Sequence, residues 1–359
     1  MFSDLDVIMP RSAQEVTARV KSGDFFEDKK FKNFSFDHSD MSGGMFSNTS
    51  FESCTFNGSN LKDAMFNGCK FIDCIFTSID SKNINFINSI FERALFKQAA
   101  LSKSSFISTQ WIDVDVIDSS LIACVFQECS LNGGVFSSTP LTESIFNECV
   151  INKIEYTNIE FNKTVLNQCE FDCIIMQDCS FKMVFMTKAS LANMNFSNMV
   201  LSQSQFKECD LTGCDFSGSD LSQSAFSGSQ LNDCIFNGTN LELANMYEVE
   251  LNGVNLSKCN LSKASLQKSK ICKSVLSASD FTMAQLNEVT LTETVAHASD
   301  FSFTNFSHGF LLDTDFTDSN FYMALLHGAI DEGCNWKGVN KSAAQGTNEQ
   351  LKKAENWGK

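Results

Sequence analysis

Large apolar residues fall on every fifth position from Phe31 to Leu326, without a single slip of register. The series begins Phe31, Phe36, Met41, Phe46, Phe51, Phe56, Leu61, Phe66; of its sixty positions (295 divided by 5, plus 1) only Ser81 and Ala296 are small. A second slot two residues earlier is usually small, as at Cys54, Ser59, Ala64, Cys69 and Cys74, and later at Ser219, Ser224 and Ser229. A period of five matches neither the 3.6 of a helix nor the 2.0 of a strand, so it predicts a repeat architecture. The intervening positions are mostly polar, which places them on the outside.

Grouping four pentads into twenty residues sorts the central positions by type. Phe46, Phe66, Phe86, Phe106, Phe126 and Phe146 form one aromatic column, and Phe36, Phe56, Phe76 and Phe96 another, ten residues out of phase. Leu191, Leu211, Leu231 and Leu251, like Leu201, Leu221, Leu241 and Leu261, form aliphatic columns. Four-sided coils of an all-β solenoid follow, with the Phe columns on opposite walls. Sixty centres make about 15 coils, which at ~4.8 Å per strand spacing predicts one elongated body of roughly 70 Å. Open coil ends invite aggregation, and both are predicted to be covered. Ser12-Ala13-Gln14-Glu15 reads as a capping box opening a short helix that stops near Gly23, and Thr347-Asn348-Glu349-Gln350 opens a second toward Trp357. The expected organisation is therefore an N-terminal cap with a short helix over 1–30, the repeat body over 31–330 and a C-terminal cap with a short helix over 331–359.

The triplets Ser59-Asn60-Leu61, Cys209-Asp210-Leu211, Cys214-Asp215-Phe216, Ser219-Asp220-Leu221, Thr239-Asn240-Leu241 and Cys259-Asn260-Leu261 resemble the A-(D/N)-L-x-x unit of pentapeptide-repeat proteins. The resemblance covers about five-sixths of the chain and implies a right-handed quadrilateral β-helix. The run Arg19-Val20-Lys21-Ser22-Gly23-Asp24-Phe25 also looks like the lead-in common in bacterial members. The chain departs from the family pattern in using Cys, Ser or Thr more than Ala in the small slot and Phe heavily in the central one. These are choices of volume.

Charge adds a surface to this frame. The net charge is −16. Residues 1–30 carry five bases and six acids, and residues 327–359 five bases and four acids, so the ends sum to zero and the repeat body carries 33 acids against 17 bases. Such a surface disfavours nucleic acid and anionic membranes as direct partners and favours basic protein surfaces. No apolar run approaches the length of a membrane span, and the start Met1-Phe2-Ser3-Asp4-Leu5-Asp6 lacks the pattern of a secretory signal. The expectation is a cytoplasmic protein, with secretion as an effector left open.

Candidate chemistry is thin. Thirteen of fifteen cysteines, all but Cys173 and Cys272, occupy the small slot, where a reduced thiol serves as a compact apolar filler. Cys129, Cys149 and Cys169 should stack on successive coils, yet no Cys-x-x-Cys occurs. Core packing is the favoured reading over metal or redox use. His308 and His327 fall on adjacent coils, but two imidazoles do not make a metal site. No phosphate loop, Ser/His/Asp order or carboxylate pair stands out, and a filled solenoid offers no cleft. The expectation is no enzyme, no cofactor and no metal.

Two surface features remain. Val125, Ile145, Val165 and Phe185, each twenty after the last, with Met183 beside Phe185, form an outward apolar stripe suited to a protein contact or homodimer seam. The acids Asp113, Asp115, Asp118, Glu128, Glu143 and Glu148 occupy one stretch without a base, and Asp280, Glu288, Glu293, Asp300, Asp313, Asp315 and Asp318 another. Between them Lys258, Lys263, Lys268 and Lys273 ring a single coil. The function expected is a non-catalytic acidic solenoid that binds another protein. The family resemblance implies two sharper alternatives. Some members resemble B-form DNA and bind type II topoisomerases (DNA gyrase or topoisomerase IV), conferring quinolone or toxin resistance. Some secreted bacterial effectors carry these repeats and would here act by binding.

Overall fold

Local sterics shape each coil. The computed structural model describes residues 9–357, and the positive-φ corner recurs two residues after each apolar centre: Asp28 (51°), Asn33 (59°), His38 (58°) and Asn48 (46°) begin the series. Polar or glycine residues fill most of these corners because they tolerate left-handed backbone best. Many corners close as a β-turn, as where the Ser39 N–H donates to the Phe36 carbonyl at 3.1 Å. A corner every five residues leaves straight sides only three residues long, and their middle side chains point inward.

The chain divides into two compact units, Met1–Cys179 and Ser180–Lys359, and about 15 turns of parallel β-solenoid are distributed between them. In the first unit, four faces alternate around each coil, here named A to D from the centres Phe26, Phe31, Phe36 and Met41. Face A runs from Phe25–Glu27 to Val165–Asn167, each strand pairing in parallel with the one twenty residues on. Face B does the same from Lys30–Lys32 to Glu170–Asp172, and face C from Ile75–Thr77 to Ile175–Gln177. Face D is held by single bridges such as Asp40 to Asn60 and Asn60 to Asp80. In the second unit, face B carries regular strands from Glu250–Asn252 to Ile330–Glu332, and isolated parallel bridges hold much of the rest.

The centres fill the core. Phe46 and Phe66 stack at 4.9 Å, Phe106 and Phe126 at 4.8 Å, and Phe126 and Phe146 at 4.5 Å on face A. Phe56 and Phe76 stack at 4.7 Å on face C. A third aromatic column, Phe31, Phe51, Phe71 and Phe91 with Trp111, lies on face B and meets its neighbours edge-on. In the first unit three walls are therefore aromatic, one more than the two-column reading predicts.

The small slot has a chemical role besides its volume. Ser144 Oγ donates to the Leu121 carbonyl at 2.6 Å, Thr239 Oγ1 to that of Phe216 at 2.6 Å and Cys124 Sγ to that of Leu101 at 3.0 Å. Each bond spans 23 residues and ties one coil to the previous one, which a slot filled by Ala cannot do. At Gly134 (φ 100°) an added Cβ would lie 2.1 Å from the Val114 carbonyl oxygen, so only glycine fits.

Helices flank the coils at each end of the described chain. Helix α1, Ala13–Lys21, is capped by Ser12, whose hydroxyl accepts from the Glu15 N–H, while Glu15 accepts from the Arg11 N–H. It buries Ala13, Val16 and Val20, and Arg19 lies 5.0 Å over the Phe26 ring. Helix α2, Glu349–Glu355, is capped by Asn348 rather than Thr347 and buries none of its side chains. Coil pairing extends past both edges of 31–330, from Phe25 at one end to Asn335 and Gln345 at the other.

Candidate interaction surface

With the centres inside, the surface consists of the residue before each centre and the two after it. The apolar stripe falls partly within one unit: Val125, Ile145 and Val165 pair in register on face A of the first unit. Ile145 is exposed, and Val125 and Val165 are half-buried. On the same face Phe25, Met45 and Met65 form a second exposed apolar ladder, separated from the first by Asn85 and Ser105. Phe185 belongs to the second unit, where it is exposed and pairs with Gln205; Met183 beside it is half-buried.

The acids sit mainly at corners. In the first unit Asp113, Asp118, Glu128, Glu143 and Glu148 all have positive φ, so their carboxylates project from turns. Glu128 and Glu148 occupy the same corner one coil apart. Asp115 lies on face C and accepts from the Val135 N–H at 3.0 Å. Only Glu143 of this set forms an ion pair among the described residues, with Lys163 at 3.4 Å. In the second unit Glu288, Glu293, Asp313 and Asp318 are corner residues, and Glu293 and Asp313 share a corner on successive coils. Asp280 and Asp300 sit on face D, accepting from the N–H groups of Thr282 and Ser302 at 2.8 Å. Asp315 alone of these pairs with a base, His297 at 2.8 Å. Burial works to raise its carboxyl, but hydrogen bonds from Thr317 and His297 outweigh it and hold the group well below the usual range. The lysine ring is partly neutralised, through Lys263 to Glu242 and Lys268 to Glu248. The two acidic stretches thus keep most of their charge uncompensated.

Twelve cysteines are buried, Cys272 and Cys334 are half-buried and Cys173 is exposed. Burial pushes the thiols of Cys69, Cys124 and Cys259 up to about 12, which keeps them protonated and poor nucleophiles.

His308 and His327 do approach, with ring centroids 5.2 Å apart. The carboxylate missing from the sequence reading comes from α2: Glu355 lies 3.2 Å from Nε2 of both histidines. The donor set has the membership of a metal site, but its hydrogen bonding runs the other way. Nδ1 of His327 accepts from the Asn348 N–H at 3.1 Å, so the neutral ring carries its proton on Nε2 and donates it to Glu355. A metal at Nε2 would require the opposite tautomer. The arrangement fastens α2 to the coils, and the His327 bond holds the Glu355 carboxyl below its ordinary value. No spacing rule links residue 355 to 308, so the partner was invisible in the repeat.

An open recess of about 490 Å³ lies beside α1, lined by Gln14, Thr17, Lys21, Asp37, His38 and Asp40 among others. Asp37 there is committed to the backbone and side-chain amides of Asn57. Among the described residues no helix is long and apolar enough to cross a membrane. A further exposed apolar set, Met283, Phe303, Tyr322 and Met323, lies one or two residues after the centres, outside the stripe that the sequence predicts.

Comparison with known proteins gives the family of the repeat. The family model described as pentapeptide repeats matches in 8 copies, over residues 39–77, 186–223, 224–262, 259–295 and 297–330. Among solved structures, the chain is similar to HetL of Nostoc sp. strain PCC 7120, a pentapeptide repeat protein involved in heterocyst differentiation regulation. That match has 12% identity over 93% of this chain and 97% of that one, with a TM-score of 0.19. It is also similar to full-length QnrB1, a plasmid-mediated fluoroquinolone resistance protein (18% identity, 64% and 92% covered, TM-score 0.23). A third is a pentapeptide repeat protein from the Arabidopsis thaliana thylakoid lumen (23% identity, 29% and 63% covered, TM-score 0.14). No curated protein matches the chain.

Proposed function

We propose a non-catalytic protein-binding role for this chain, which belongs to the pentapeptide-repeat family: its carboxylate-bearing coils dock the basic surface of another protein. The observation that carries the reading is the run from Lys273 to Leu326. Seven acids follow that lysine with no Lys or Arg among them, four of the seven project from corners, and among the described residues only Asp315 forms an ion pair. Glu293 and Asp313 along one corner, and Asp280 and Asp300 along face D, repeat at ~4.8 Å and create a field that no lysine of the stretch cancels and the apolar core does not screen; such a field attracts and orients a cationic partner. A core packed with stacked phenylalanines has no room for a substrate, so recognition is confined to the skin.

The role is tested by retaining partners on immobilised full-length protein and eluting them with salt. Partners that bind carboxylates leave as ionic strength rises; partners retained unchanged through 1 M salt would refute the reading.

A narrower form is the mimicry of DNA toward a type II topoisomerase. Unpaired carboxylates stacked at the coil spacing, as at Glu293 and Asp313, favour it, because a surface built for phosphates would be attracted to them. A gyrase supercoiling assay decides it. Inhibition or protection from a quinolone at micromolar protein supports mimicry, and no change at that concentration rejects it.

A further inference from the structure

The corner after each face D centre, like the other corners, is an unfavourable place for a large apolar side chain. Its backbone is left-handed, which Gly, Asn and Asp adopt most easily, and its side chain faces solvent and gains nothing from the core, so glycine or polar residues are expected there. Most coils obey this logic: Gly43, Asp63, Asn83, Lys103, Glu143, Lys163, Gln203 and Gln223 occupy the position. Met183 and Leu243 depart from it singly, with Lys263 following Leu243, and three consecutive coils of the second unit depart from it together. Met283 (φ 61°), Phe303 (φ 60°) and Met323 (φ 57°) follow one another twenty residues apart, with 49%, 45% and 37% of their surface exposed. Tyr322, more exposed still, sets its ring edge against that of Phe303 at 5.5 Å. Neither folding nor solubility explains four large apolar groups exposed side by side on successive coils, and a contiguous exposed apolar surface points to a partner.

The surroundings specify the occupant. Asp280 and Asp300 lie on face D beside the ridge, and Glu288 occupies the corner on its other side. Between Lys273 and Leu326 the chain has no Lys or Arg, and Lys263, one coil before Met283 along the same corner, is paired with Glu242 at 3.0 Å. A second copy of this surface would bring the same acids against themselves, and an anionic lipid headgroup would be repelled. A cationic amphipathic segment satisfies both parts, covering the apolar groups while placing its charges over the carboxylates.

We propose that Met283, Phe303, Tyr322 and Met323 form a docking ridge for a partner-protein segment that presents a strip of aliphatic or aromatic side chains flanked by Lys or Arg. The proposal rests on the acidic protein-binding reading above and narrows it to one site and one class of ligand. The ridge supplies affinity through buried apolar contact, and the flanking acids fix orientation and exclude acidic or neutral competitors.

The test uses full-length protein and three labelled helical peptides: one of Leu and Lys, one with Glu in place of Lys, and one of Lys without Leu. Binding is followed by fluorescence anisotropy in low and high salt, and self-association by sedimentation. The double substitution Met283→Asn and Phe303→Asn places at both corners a residue suited to positive φ, so its melting temperature should equal or exceed that of the native protein. The Leu/Lys peptide should bind the native chain and lose tenfold or more in affinity on the double variant, while Ile235→Thr, at another exposed site of the unit, leaves it unchanged. The Leu/Glu peptide should not bind. If the double variant binds the Leu/Lys peptide as tightly as the native chain, while the Lys peptide still binds in a salt-dependent way, the ridge is wrong and the broader reading survives. If neither cationic peptide binds the native chain, the broader reading fails with it. A concentration-dependent dimer abolished by the double variant would make the ridge a self-contact and overturn the proposed occupant.

Discussion

Phe126→Ala measures what one inward ring contributes. The side chain is fully buried, and its ring stacks on Phe106 at 4.8 Å and on Phe146 at 4.5 Å, with Trp111 edge-on at 5.9 Å. Removing a buried Phe costs roughly 3–5 kcal/mol in transfer and cavity terms. Each lost aromatic contact adds about 0.5–1.5 kcal/mol. Partial collapse of the stacked neighbours offsets some of this, so a loss of about 4–5 kcal/mol is expected. Because coils interact only with their neighbours, the loss should appear first as local opening around residues 106–146. Urea unfolding followed by hydrogen exchange resolves both the midpoint and the location. Phe185→Ser, at an exposed position of the second unit, should shift stability by no more than about 0.5 kcal/mol. Equal midpoints for Phe126→Ala and the native protein would mean that the five-residue series does not point inward.

Trp111→Phe should change stability by less than about 1 kcal/mol, since the buried indole N–H of Trp111 has no hydrogen-bond partner and its loss offsets the smaller ring; a large drop in the melting midpoint would contradict that. The pair Ile145→Glu and Val165→Glu should weaken self-association or partner capture without lowering the melting temperature, and unchanged elution volume and capture would reject a role for the stripe. The Glu355 carboxyl is held below its unfolded value by His327, so its contribution to the docking of α2 is present above the unfolded value and lost as pH falls through the folded one. The protection of the α2 amides, taken relative to the intrinsic exchange rate at each pH, should therefore fall in acid for the native chain. For Glu355→Gln, whose amide does not titrate, exchange should be fast at neutral pH already; identical profiles would refute the latch. Thiol titration of the folded protein should modify Cys173 first, because it alone of the cysteines is exposed, and rapid reaction of the buried set would contradict their packing role.

The architecture was legible because it is periodic. One inward side chain per five residues fixes the coil, and the twenty-residue columns name the stacks, so Phe46 on Phe66 and Phe56 on Phe76 could be paired from numbering alone. Helix α1 was equally readable, since Ser12 and Glu15 are local capping signals. Chemistry that leaves the period was not. Residue volumes suggested why Ser, Thr and Cys fill the small slot, but the bonds of Ser144 and Thr239 to carbonyls 23 residues back require the coil pitch. Glu355 reaches His308 and His327 from a helix outside the repeat, at no fixed spacing. The division at Cys179 and Ser180 has no signature in the register, so the apolar stripe was drawn through residues of both units. The ridge at Met283, Phe303 and Met323 was present in the sequence all along as a column of its own. It stands out only once the structure shows the three side chains exposed on successive coils beside Tyr322.

Neutralising the second acidic stretch tests the binding account most directly. The chain with Asp280, Glu288, Glu293, Asp300, Asp313 and Asp318 replaced by Asn or Gln should melt like the native protein, because none of these groups forms an ion pair among the described residues. It should retain far less of the partner captured at low salt, and the remainder should no longer depend on ionic strength. Equal capture by both proteins across the whole salt range would show that recognition does not run through these carboxylates.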